Sequence, residues 1–494
     1  MKWTDFRENA EAIIVALLLA LLIRHFVLES YEIPTGSMAP YLHGLNSRIA
    51  CPNCGVDTPV GISSDSLTNR VQMGDRYRIL EGVCKKNGAP FKIQAGSGND
   101  FICPGCKETR SVSEVTTRTA VAKSLRVECR ECTYKHETLV EPDDILGGNK
   151  ILVEKFWYDA VEPNRWDVVV FRFNSQRNYI KRLVGLPGEQ IQIVNGDIHI
   201  DGKVELKPVD VQKHLWIPIH DSLIAEAGLE EPAWSQDRGW TRYTEETADT
   251  PEKTAGGWGV NLSTGSGELR YVRPIRNYYG YNGSYRGKQP APVRDLKVLA
   301  RISAMPTSSG KSSIAIEIDN SPSTYRWEIP FSSGESRFLI TGNESEEDQP
   351  EWTSDTFALV PDRETALSME VVDRHVRLFS NEQLVAQIPL PDSELSAGLK
   401  SAKGQTIRLQ MNRCGGYVHQ VQVFRDLHWT GNGNHAVTGP FQIDQGRYFV
   451  LGDNSPSSLD SRYWGSFSRS NLLGRGFVIF WPALPWRNES GFIR

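Results

Sequence analysis

A serine can act as a nucleophile only beside a base that takes its proton. Ten histidines are present, but none sits in a recognisable catalytic context, and the chain has no Gly-x-Ser-x-Gly elbow. The other arrangement is a Ser–Lys dyad. There burial among apolar groups must pull the lysine below its ordinary pKa of about 10.4, so that the amine is neutral when it is needed. A candidate exists for each role. Ser37 lies in the Pro/Gly-stiffened segment Ile33-Pro34-Thr35-Gly36-Ser37-Met38-Ala39-Pro40, where Gly36 lets the backbone turn tightly. Lys181 lies in Tyr179-Ile180-Lys181-Arg182-Leu183-Val184-Gly185, with Tyr179 and Leu183 on its own strand face. Each residue alone is commonplace: a loop serine is ordinarily a turn residue, and a strand lysine an edge charge.

A second chemistry is carried by cysteines. Cys51-Pro52-Asn53-Cys54, Cys103-Pro104-Gly105-Cys106 and Cys129-Arg130-Glu131-Cys132 are three CxxC units. Two such units supply the four thiolates of a structural zinc ribbon. Cys51 and Cys54 with Cys103 and Cys106 are the preferred set, with Cys129 and Cys132 the alternative pair; spacing does not choose. Disulfides are the rival reading, since the segment is expected in an oxidising compartment. Thioredoxin-like redox chemistry is disfavoured, because no βαβ pattern surrounds a CxxC. Cys84 and Cys414 stand alone, as buried thiols or as partners of each other.

Taken in order, Pro34-Thr35-Gly36-Ser37-Met38, then Ile151-Leu152-Val153-Glu154-Lys155-Phe156, then the segment from Tyr179 to Glu189, then Gly452-Asp453-Asn454-Ser455-Pro456-Ser457-Ser458-Leu459-Asp460-Ser461-Arg462-Tyr463-Trp464-Gly465 resemble the boxes of bacterial type I signal peptidases. The resemblance is confined to about 1–48, 143–206 and 440–486. It implies a Ser–Lys dyad on a mostly β fold, with Ser37 as acylating nucleophile and Lys181 as general base. It further implies an oxyanion hole from the Ser37 N–H and the Thr35 hydroxyl, a Ser458 hydroxyl that orients the lysine, and a supporting Asp460–Arg462 pair. No cofactor is implied for catalysis. Two departures stand out: Gly148-Asn149-Lys150 where the family has Gly-Asp, and Ser455-Pro456 in place of a more polar pair.

These boxes need elements to position them. Residues 1–29 read as a membrane anchor: an unbroken apolar run over 12–23, interrupted by Arg24 and His25 and resumed over 26–28. Seventeen residues, from 12 to 28, lie near the lower limit for a span, which needs about 20. A cleaved signal or a buried core helix are the rival readings. Lys2 and Arg7 favour a cytoplasmic N-terminus, although Arg24 and Arg48 dilute that signal. The expected organisation is mainly β and nested. A peptidase core over 30–48, 143–206 and 440–486 is interrupted by a Cys-rich, zinc-ribbon-like insertion over 49–142 and by a second insertion over 207–439. Within the latter, nine short alternating strands between 298 and 424 predict a β-sandwich at about 290–430, similar to concanavalin- or laminin-G-like modules. Residues 205–290 show no clear period. No internal repeat stands out.

Composition sets the outer bounds. A 39% hydrophobic fraction over 494 residues excludes a mainly disordered chain and a multi-span membrane protein. A net charge of −5 excludes a general nucleic-acid binder. The resulting expectation is a single-pass inner-membrane endopeptidase, catalytic side outward, cleaving signal peptides from exported preproteins after small residues. The alternatives are a membrane-anchored glycan- or protein-binding protein with an inactive core, and a signal peptidase restricted to certain substrates. The ligand of the sandwich is not readable.

Overall fold

The computed structural model describes residues 10–18 and 28–493, apart from 63–75, 174–176, 225–231, 245–246, 249, 251–252, 254, 263–264, 284–289, 308–311, 321–322, 332–334, 342–350, 392–404 and 483–490. The chain is mainly β, and three bodies of antiparallel sheet follow from its strand pattern.

The first body is an eight-stranded sheet. Its order is Leu28–Glu32, Lys150–Glu154, Leu472–Trp481, Val168–Phe173, Arg177–Gly185, Arg447–Leu451 and Phe467–Ser468, with Gly491–Phe492 added beside Leu472–Trp481. These strands come from three distant parts of the chain, so non-local pairing holds the sheet together. Alternation supplies the pairing energy: Ile151, Val153, Val168 and Val170 pack with Ile33, Met38 and Leu42 from the loop that carries Ser37. A smaller sheet, Gln190–Val194, Asp197–Ile200, Lys203–Val204 and Phe441–Gln442, extends this body.

The anchor expected over 1–29 falls largely outside the described residues. A helix over 10–18 is described, and among the described residues no helix is long and apolar enough to cross a membrane. Leu28 and Glu29, counted in the expected anchor, instead open the first strand, where their backbones pair opposite Glu154 and Val153.

The second body is the sandwich. One sheet runs 240–242, 258–261, 414–425, 296–306, 365–372, 375–380 and 383–389, with 217–221 also on 414–425. The other runs 234–236, 266–271, 406–412, 313–319, 324–330, 336–341 and 352–354. Each of the nine predicted segments is a strand. The sandwich also takes in five strands from 217–271, the stretch without a clear period. Trp234, Trp240 and Trp258 from that stretch fill the common core with Trp327, Ile316 and Met369. Cys414 is buried there as a free thiol.

Among its described residues the third body, over 46–140, has four hairpins whose turns carry the cysteines, one of them widened by a third strand, Thr116–Val121. The preferred cysteine set is corrected here. Cys103 and Cys106 do not join Cys51 and Cys54. Cys51, Cys54, Cys129 and Cys132 gather their sulfurs within 4.8 Å of one another, and Cys84 joins Cys103 and Cys106 in a separate group. The reason is nesting: the hairpins that carry Cys84 and Cys103 lie, in sequence, between the two halves of the first set.

Candidate active site

Ser37 sits in a single 3-10 turn, Gly36–Met38, entered from an extended Thr35. Met38 is fully buried and anchors the turn in the core beneath the sheet. The turn is also fixed through its carbonyls. The Asn454 N–H donates to the Ser37 carbonyl at 3.0 Å, and Asn454 Nδ2 donates to the Gly36 carbonyl at 2.8 Å. Gly452 lets this last box approach closely: a Cβ there would stand 2.1 Å from Ser458 Oγ and 2.5 Å from the Ser37 carbonyl oxygen.

Lys181 lies on the central strand Arg177–Gly185, opposite Val169. Its Nζ is 2.7 Å from Ser37 Oγ and 2.9 Å from the Ile180 carbonyl. The two residues are 144 apart in sequence and both are buried. Burial lowers the Lys181 pKa to about 8, with the charges of Asp460 and Asp453 opposing that shift only in part. Each of those carboxylates is bound to an arginine. Asp453 takes a two-pronged pair from Arg182 at 2.9 and 2.8 Å, and Asp460 a similar pair from Arg462 at 2.9 and 2.9 Å; all four side chains are fully buried. Arg462 further donates to Ser455 and Thr430, and Asp460 accepts the Gly452 N–H. The two acids thus lie near the lysine while their direct partners are arginines, and the amine can lose its proton near neutral pH.

Thr35 stands exposed beside the turn. Ser458 is buried against Gly452, but its Oγ makes no hydrogen bond. The expected Ser458–Lys181 bond is therefore absent from this conformation, and the lysine is oriented instead by Ser37 and the Ile180 carbonyl. Asn149, at one departure from the family pattern, ties its segment to the chain around the nucleophile loop, 106 residues away: its side chain accepts the His43 N–H at 2.5 Å, and its backbone pairs with His43 and Ile33.

Three contributors were not legible in the sequence. Tyr279, Tyr281 and Asn282 belong to the second insertion, yet Tyr281 lies on the nucleophile turn and the other two bind the last box that holds it. The Tyr281 ring lies on Gly36, where a Cβ would meet it at 1.9 Å, and its hydroxyl donates to the Leu45 carbonyl at 2.8 Å. Asn282 and Asn454 exchange reciprocal amide bonds of 2.8 Å, and Tyr279 Oη donates to the Asp453 carbonyl at 2.9 Å. The only available signal was the aromatic, glycine-rich run from 278 to 285.

The Cys51/Cys54/Cys129/Cys132 group fits a metal. Its closest sulfur pairs stand 3.5 and 3.6 Å apart, near the roughly 3.8 Å edge of a tetrahedron with Zn–S bonds of about 2.3 Å and far beyond a disulfide bond of about 2.05 Å.

A profile of the family described as signal peptidase, peptidase S26, matches residues 131–216 and 382–481. Probable signal peptidase I-2 of Synechocystis sp. is 54% identical over 44 residues, 9% of this chain and 20% of that one. Signal peptidase I of Bacillus caldolyticus is 39% identical over 56 residues, covering 11% and 31%. Signal peptidase I V of Bacillus subtilis (strain 168) is 34% identical over 82 residues, covering 17% and 48%. The chain thus matches less than half the length of each of these relatives. Among solved structures, the carbohydrate binding module CBM66 from Bacillus subtilis aligns with 39% of this chain and 96% of its own at 11% identity and a TM-score of 0.24, too weak a likeness to bear on any ligand. Over residues 131–216, which hold Lys181, and 382–481, which hold the last box, the chain is similar to the signal peptidases of this family; Ser37 lies outside the matched residues.

Proposed function

We propose that the chain is a membrane-bound serine endopeptidase that removes signal peptides from exported preproteins by a Ser–Lys dyad. The observation that carries this reading is the 2.7 Å contact between Ser37 Oγ and a buried Lys181 Nζ whose pKa is lowered to about 8. Neutral Lys181 accepts the Ser37 proton as Oγ attacks the scissile carbonyl. The oxyanion is met by the Ser37 N–H and the Thr35 hydroxyl; such donors are commonly worth about 10²–10³ in rate each. As the C–N bond breaks, Lys181 returns the proton to the leaving amine. The acyl-enzyme is then hydrolysed by a water that gives its proton to the same lysine. The Asp460–Arg462 pair holds the last box in shape.

The substrate adds as a strand. Arg177–Lys181 is paired on one edge with Val168–Phe173, whereas Arg447–Leu451 pairs only with 182–185 on the other edge. Main-chain donors and acceptors beside the dyad are therefore available to an extended peptide. Small residues at its −1 and −3 positions are the expected fit. The anchor before Ser37 places the dyad near the outer face of the inner membrane, where cleavage sites emerge. The contacts of Tyr281 and Asn282 favour a narrower version of the same reading, in which the second insertion restricts which preproteins mature.

Replacing Ser37 or Lys181 with alanine should abolish preprotein cleavage by the purified protein, and a serine-directed covalent probe should label wild type and not Ser37→Ala. Normal processing by either variant would overturn the proposal. An unlabelled wild type that binds glycan or protein would favour an anchored binding protein with an inactive core.

A further inference from the structure

The Cys-rich body is built from one turn used four times. In each copy the first residue is cysteine: Cys51, Cys84, Cys103 and Cys129. Its carbonyl accepts the N–H four residues on, from Gly55, Gly88, Lys107 and Thr133 at 2.8, 2.9, 2.9 and 3.0 Å. Its own N–H donates to the carbonyl five residues on, in Val56, Ala89, Glu108 and Tyr134, at 2.8–2.9 Å. The fifth residue of each copy is left-handed, with φ of 76°, 69°, 62° and 56°. Each turn closes a hairpin: Asn46–Ala50 with Asp57–Gly61, Arg76–Val83 with Pro90–Gln94, Asp100–Ile102 with Thr109–Ser111, and Lys123–Glu128 with Lys135–Val140.

The fourth position of the turn separates the copies. It is Cys54, Cys106 and Cys132 in three of them and Asn87 in the copy headed by Cys84. The outer two copies form the four-sulfur group. The inner two bring together only Cys84, Cys103 and Cys106, again within 4.8 Å. Gly105 lets this group close, since a Cβ there would lie 2.8 Å from Cys84 Sγ. Asn87 is turned away from the sulfurs. Its Nδ2 donates to the carbonyls of Pro52 and Asn53 at 2.5 and 2.7 Å, and its Oδ1 accepts the Ala89 N–H at 3.1 Å. Asn87 and Cys106 instead line a cleft of about 1180 Å³ that also exposes Lys86, Lys107, Arg130 and Arg273.

We propose that Cys84, Cys103 and Cys106 hold a second zinc ion whose fourth coordination position opens to this basic cleft and takes an exchangeable ligand, water or an incoming thiolate. Three thiolates carry three negative charges against two on the ion, and this turn presents them with the backbone that serves the complete set. Three protein ligands with one open position is the pattern of a zinc site that exchanges a ligand, whereas four is that of a closed structural one. The inference stands apart from the peptidase reading, because neither Ser37 nor Lys181 takes part.

The test is metal content and ligand exchange in the full chain. Elemental analysis should find two zinc ions per wild-type chain and one in Cys84→Ser. With cobalt in place of zinc, titration with 2-mercaptoethanol should intensify the sulfur-to-metal absorption, since a fourth thiolate enters. Asn87→Cys should keep two ions and lose that response, and it serves where Cys84→Ser does not fold. One ion in wild type with none lost in Cys84→Ser overturns the proposal. So does a disulfide among the three inner cysteines, or an absorption spectrum that ignores the added thiol.

Discussion

Lys181 and Lys207 are both buried lysines, at 3% and 1% exposure, and the protein drives them in opposite directions. Lys181 is lowered to about 8. Lys207 is raised, although burial is again the largest single influence and pulls it down. The difference is direct contact. Lys207 Nζ is ion-paired with Asp373 and, at 2.8 Å, with Asp426. Lys181 touches a hydroxyl and a carbonyl, and the carboxylates nearest in influence, Asp460 and Asp453, are bound to arginines. Desolvation pulls both lysines down, and it sets the net direction only where no carboxylate touches the amine. One lysine is thereby left able to lose its proton, and the other becomes a clamp. The clamp's place fits its role: Lys207 lies where the chain leaves the core for the sandwich, and Asp426 follows the sandwich's last strand, Cys414–Arg425.

The same substitution at both sites separates the two roles. Lys207→Met leaves Asp373 and Asp426 buried without their cation, and a broken buried pair typically costs about 3–5 kcal/mol. Lys181→Met removes an ammonium that burial disfavours and no carboxylate touches, and should leave stability at pH 7 unchanged or raise it, while abolishing cleavage. Urea unfolding of the two variants at pH 7 checks both. Equal destabilisation would mean that Lys181 is also a structural cation.

The next effect is smaller and concerns protons. Cleavage needs the neutral amine, so kcat/KM should rise with pH through an apparent pKa of about 8, falling roughly tenfold per unit below it. The stability sign agrees. Between about 8 and the ordinary 10.5, the unfolded lysine binds a proton that the folded one does not, so stability rises with pH across that window. A flat rate profile between pH 6 and 9 would remove the lysine from the chemistry.

What could be read in the sequence and what could not divide along contact range. Ser37 and Lys181 were legible as a pair because the short boxes around them, each commonplace alone, resemble in their order those of type I signal peptidases. The nine sandwich strands were legible from their own apolar alternation. Strands such as Trp234–Gln236 and Trp240–Arg242 are three residues long, too short to show a period, and they exist because their tryptophans fill a core built elsewhere. The cysteine pairing was hidden by nesting, and the fourth turn by Asn87, which breaks the CxxC pattern while leaving the backbone turn intact. Asn282 could not be found because its partner, Asn454, is 172 residues away.

Asn282 also gives the finest test of the contrast between the lysines, because it acts on the serine's side of the dyad. It holds Asn454, which holds the carbonyls of Gly36 and Ser37, and it makes no contact with Lys181. Asn282→Ala removes one reciprocal amide pair, worth about 0.5–1.5 kcal/mol per hydrogen bond. If the loss of both bonds appears mainly as a looser turn, kcat should fall roughly five- to 160-fold, while the lysine's burial, and hence the rate limb near pH 8, stays in place. A limb that moves with this substitution would mean that the insertion tunes the lysine itself. An unchanged kcat would mean that the Tyr281 ring on Gly36 holds the turn without the amide pair. The rate profile of this one variant therefore separates control of the nucleophile from control of the base.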